Sequence, residues 1–122
     1  MSEIVQIEPV NWEEFLSEFA TRNNNRRARL NVFRSDGSTE DESQEEHFED
    51  VRLKSEGNSK TVEIVRIDRT HRNTGKTHDT ITNVRGISVQ YDTDGSEDAL
   101  EITDDENTMI SLRFESRVDG AS

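Results

Sequence analysis

The sequence predicts an α+β domain in which one N-terminal helix packs on a curved, mostly antiparallel sheet of about six or seven strands. Three observations carry that expectation. Val, Ile and Thr number 28 against 11 for Ala, Leu and Met, and branched side chains suit strands better than helices. Apolar residues recur at helical spacing in one place only, near the N-terminus. From Leu30 onward, turn signals alternate with short runs of period-two hydrophobicity. At 122 residues, with no long polar linker and no internal repeat, the chain reads as a single domain over 1–122.

The helix is expected over about 11–22. In PVNWEEFLSEF, Asn11 is placed to cap it, Glu14 to complete a capping box, and Val10 to staple against Phe15. Trp12, Phe15, Leu16 and Phe19 fall at spacings 0, 3, 4 and 7 and line one apolar face, while Glu13, Glu14 and Glu18 face solvent or the positive helix end. That stripe is core rather than a ligand platform. A run of asparagines at 23–25 then ends the helix.

Beyond it, LNVF, TVEIVRI, GISVQY, ALEI and MISLRF read as half-buried strands continuing to about 116, followed by a frayed C-terminal tail. The turns between them are marked by DG at 36–37, EGNS at 56–59, NTG at 73–75, DG at 94–95 and DDEN at 104–107. One segment breaks the pattern. Residues 38–50, STEDESQEEHFED, hold seven acids, and like charges at that density favour an acidic mobile loop over a strand.

Composition narrows the function. A net charge of −12 and a pI near 4.6 repel phosphate backbones and anionic headgroups, so neither nucleic acid nor membrane is an expected partner. Twelve arginines against three lysines leave an acidic, lysine-poor surface, which suits high salt as well as plain solubility. Without cysteine there is no disulfide, thiolate nucleophile or Cys-based metal centre. MSEIVQIEPV has neither the basic start nor the apolar run of a signal peptide, and the expected location is cytoplasmic.

Four constellations bear on chemistry. Arg22, Arg26, Arg27, Arg29 and Arg34 form the one dense basic stretch, with no acid between residues 21 and 35. Cations there complement the helix end, and the first four are the candidate surface for a protein partner. RTHRNTGKTHDTI, residues 69–81, reads as a hairpin in which Gly75 supplies a positive φ and His71 and His78 lie nearly opposite. Alternation sends Asp79 to the face away from His78, so an enzyme acting through these residues lacks a third group. QYDTDGSEDALE, residues 90–101, follows calcium-loop spacing with Asp92, Asp94, Gly95 and Glu101 at positions three, five, six and twelve. Gln90 at position one and strand-like flanks weaken the match, leaving Asp92, Asp94 and Glu101 as candidate weak calcium ligands. GISVQ lacks the second glycine of a nucleophile elbow.

Taken together, NWEEFLSEF, the Asn/Arg stretch leading into RLNVF, HDTITNVRGISV, ALEI and the terminal ISLRF resemble a small prokaryotic family of domains of unknown function, numbered 5335. The chain departs from that pattern where Asp79 precedes Thr80 and where Val84 stands in place of a proline. The resemblance implies a compact single domain and transfers no functional residue. The expected function is therefore a non-enzymatic acidic interaction or accessory domain without a cofactor. The alternatives are a weak divalent-cation module at 90–101 and an unrecognised enzyme using His71 and His78.

Overall fold

Alternating side chains and left-handed turn residues build nearly all of the observed architecture. The computed structural model describes residues 3–41, 46–67 and 75–115. In chain order these form β1 (Glu3–Gln6), a 3₁₀ turn (Pro9–Asn11), α1 (Trp12–Asn23), β2 (Arg27–Phe33), β3 (Thr39–Asp41), β4 (Glu46–Glu56), β5 (Ser59–Ile67), β6 (Lys76–Ile81), β7 (Val84–Tyr91), β8 (Glu97–Asp104) and β9 (Met109–Phe114). Every strand pairing is antiparallel. The order is β1-β7-β8-β9-β2-β4-β5-β6, with β3 also against β2. The α+β class is as expected, but the sheet has nine strands among the described residues, more than six or seven.

Two of the extra strands, β3 and β4, come from the segment expected to be an acidic loop. Thr39–Asp41 pairs with Asn31–Phe33, and Glu46–Asp50 begins β4. Repulsion does not prevent this because the carboxylates leave on different faces and find separate partners. Glu40 lies 3.2 Å from Arg34, Glu49 3.2 Å from Lys76 and Asp50 2.7 Å from Arg52. The Glu46 carboxylate accepts from the Thr77 hydroxyl at 3.2 Å. Residues 42–45, like the 116–122 tail, lie outside the described residues.

The sheet is strongly curved, as chain reach requires. β6 ends one side of the sheet while β7 is next to the other end, yet only Thr82 and Asn83 join them. Such a link spans about 10 Å at most, so the β4–β6 half must fold back across the inner face of β7–β9. Asn83 takes φ 53° and accepts from the Ser59 hydroxyl at 2.8 Å, fixing the corner. A bulge between Phe48 and Asp50 marks the bend on the other side.

One core fills the fold. Val51, Val62, Ile64 and Ile81 meet Ile87, Val89, Leu100, Ile102 and Leu112, and α1 contributes Trp12, Leu16 and Phe19. Phe19 is fully buried, with ring centroids 5.7 Å from both Phe48 and Phe114 and 5.8 Å from Phe15. Arg66 also lies on this inner face; its side chain is inaccessible to solvent, and it donates to Asp79 Oδ2 at 3.0 Å.

The entry to α1 differs from the capping-box expectation. Asn11 is the N-cap but makes no side-chain cap bond, and Val10 is 88% exposed, so it staples nothing. The reason is the 3₁₀ turn, in which the Asn11 N–H donates to the Glu8 carbonyl at 2.8 Å. Trp12 anchors the entry instead, its indole N–H donating to Ile7 O at 2.9 Å. Asn25, at φ 74°, ends the helix region from the run of asparagines.

Candidate functional site

β4 is longer than the strand it leaves. It pairs with β2 only at Arg27↔His47 and Ala28↔Glu46, and beyond that point it pairs with β5 alone. Which backbone groups this exposes follows from the turn. Gly57 (φ 60°) and Asn58 form a two-residue hairpin, so Glu56↔Ser59 is a hydrogen-bonded pair. Alternation then directs Arg52 and Lys54 toward β5, and turns the N–H and C=O of Val51, Leu53 and Ser55 to the opposite edge. The Val51 N–H confirms the direction, donating to the Asp50 carboxylate at 2.9 Å. Among the described residues no strand covers this edge.

α1 runs beside it. Between the two lies a groove of about 560 Å³ lined by Glu13, Leu16, Ser17, Ala20 and Thr21 of the helix, by Asn24 just past its end and by residues 49–53 of β4. Five consecutive strand residues can line one groove only if the strand presents its edge. Leu16, Ala20 and Val51 are buried and form its apolar floor, while Glu13, Ser17 and Thr21 are exposed on its rim. One end is closed by Asn24, whose amide donates to Glu49 O at 2.8 Å. Glu13, Glu49 and Asp50 give the lining three carboxylates against the single guanidinium of Arg52. That guanidinium is already bonded to Asp50, with its pKa raised by this hydrogen bond.

The basic stretch turns largely inward upon the chain. Arg22 donates twice to Glu97, at 2.9 and 2.8 Å. Asn23 donates to the same carboxylate at 2.9 Å, and Arg26 to the Glu97 backbone carbonyl at 2.7 Å. Arg26 also stacks 4.3 Å above the Phe114 ring. Burial pushes the Glu97 carboxyl up, but hydrogen bonds from Arg22 and Asn23 and the charges of Arg22 and Arg26 outweigh it, holding the group below the usual glutamate value. Arg27 lies 3.6 Å from Glu115, and Arg29 sits opposite Arg113 on the outer face. Arg22 and Arg26 thus fasten α1 to the β7–β8 hairpin. Sequence reasoning missed Glu97, because alternation from Ile102 and Leu100 sends it to the outer face and only the register shift between Gln90 and Tyr91 sets it opposite Tyr91.

The calcium constellation is not assembled. Asp92 and Asp94 lie in the β7–β8 turn with Gly95 at φ 87°, and Asp94 Oδ1 accepts from the Ser96 N–H at 2.9 Å and its hydroxyl at 2.6 Å. Glu101 stands in β8 opposite Ser88, four residues past Glu97 and so about 13 Å along the strand. Linear calcium-loop spacing presupposes a loop, and β8 straightens its second half. Among the described residues no group of three or more His, Asp or Glu side chains could hold a metal.

The hairpin with the histidines is corrected in part. His71 lies outside the described residues. His78 is opposite Val65 in the β5–β6 register, so that register does not pair it with residue 71. Its Nδ1 is 3.3 Å from Glu63, while Asp79 points the other way toward Arg66, as alternation requires. Gly75 does not have a positive φ.

No protein-family model, curated protein or solved structure matches the chain. No helix among the described residues is long and apolar enough to cross a membrane.

Proposed function

We propose that the chain is a non-enzymatic, acidic interaction or accessory domain acting on a protein partner in the cytoplasm. The observation that carries this reading is the α1–β4 groove, with its apolar floor, the carboxylate of Glu13 on its rim and a strand edge that no strand covers among the described residues. Its volume is within the range of ordinary binding clefts. The arginine stretch supports a partner surface less well than the residue pattern suggested, since Arg22 and Arg26 are bonded to Glu97.

A photo-crosslinking residue in place of Thr21 on the groove rim, compared with one in place of Arg113 on the outer face, tests the reading in the host cell. Discrete protein adducts from position 21 and none from position 113 are the expected result. Adducts from position 113 alone, or from neither, would contradict it.

A further inference from the structure

We infer that the groove accepts an extended, lysine- or arginine-bearing segment of a protein partner as an added strand along β4. This deepens the interaction-domain reading and rests on it. An extended chain gains affinity at a sheet edge through backbone hydrogen bonds and selectivity through alternate side chains. Val51, Leu53 and Ser55 present those backbone groups in register, two residues apart. Ser17, Ala20 and Thr21 on the facing helix are small, so that wall of the groove is low.

Alternation defines the occupant. Side chains of an added strand that point inward meet Leu16, Ala20, Val51 and Leu53, and must be apolar. Those between them meet Glu13 on the helix wall and, on the strand wall, Glu49 and Asp50, which already pair with Lys76 and Arg52; the helix continues its acidic surface with Glu14 and Glu18. The carboxylates along the helix wall, Glu13 foremost, select cationic residues. Asp50 occupies the Val51 N–H in the free chain, so it guards the edge until a competing strand arrives.

The test uses a capped peptide of about six residues, a usual strand length, alternating lysine and valine, with a glutamate and valine peptide as control. The lysine peptide is expected to shift the amide resonances of Val51, Leu53 and Ser55, to slow their exchange, and to bind more weakly as salt rises. Leu53→Pro removes one edge donor and places a ring on the edge, weakening binding by about tenfold or more. Ser55→Pro repeats the block at an exposed site whose N–H faces outward, where proline is tolerated. Reversing both Glu13→Lys and Glu49→Lys is expected to move the preference to the glutamate peptide. Equal binding by both proline variants, or no change at these amides, overturns strand addition. If crosslinks from position 21 persist in that case, the interaction-domain reading survives and only its mode fails.

Discussion

Phe19→Ala is expected to lower the unfolding free energy by about 4 kcal/mol, the usual loss for emptying a buried phenylalanine site. Phe19 is inaccessible to solvent and touches rings from three directions, Phe15 on its own helix, Phe48 on β4 and Phe114 on β9. It therefore joins the helix to both halves of the bent sheet. Neighbouring strands cannot collapse into the space, because β4 and β9 are held apart by β2 between them. Denaturant unfolding followed at Trp12, itself buried in the first turn of the helix, checks the value. A loss below about 1 kcal/mol, the range of surface changes, would mean that α1 does not plug the fold.

Glu97→Ala is the second large effect, expected to cost about 3 kcal/mol. The Glu97 side chain is 8% exposed, and its removal leaves the buried Asn23 amide without that acceptor and Arg22 without its carboxylate. Arg22→Ala is expected to cost less, since its side chain is 46% exposed and regains water. The pH dependence has a definite sign. A carboxyl held below its unfolded value contributes stability that is present above that value, about 4.3, and is lost as pH falls through the folded value. The gap between the parent chain and Glu97→Gln is therefore expected to be constant above about pH 5 and to shrink below about pH 4. Urea unfolding at a series of pH values measures it, and a gap that widens on acidification would refute the pairing.

Local signals and long-range ones were legible to different degrees. The 0, 3, 4, 7 stripe located α1 to within a residue, because its spacing follows from helix geometry alone. Alternation correctly separated His78 from Asp79 for the same reason. What stayed hidden depends on partners distant in sequence. Arg22 and Glu97 are 75 residues apart, so a cluster of arginines looked like a patch when two of them were an anchor. β3 and β4 were concealed by their acids, whose cations lie outside the acidic run, at Arg34 just past β2, at Lys76 on β6 and at Arg52 further along β4. Asp92, Asp94 and Glu101 are not gathered because spacing along a chain defines a coordination sphere only where the chain is a loop, and Glu101 is in a strand.

The open edge of β4 is the feature on which the functional reading stands, and amide hydrogen exchange of the free chain tests it residue by residue. Arg52 and Lys54, whose N–H groups face β5, are expected to exchange slowly, and Leu53 and Ser55, between and beyond them, to exchange near the rate of an unprotected amide. Equal protection of all four would show that something already covers the edge, and the groove would then not be a docking site.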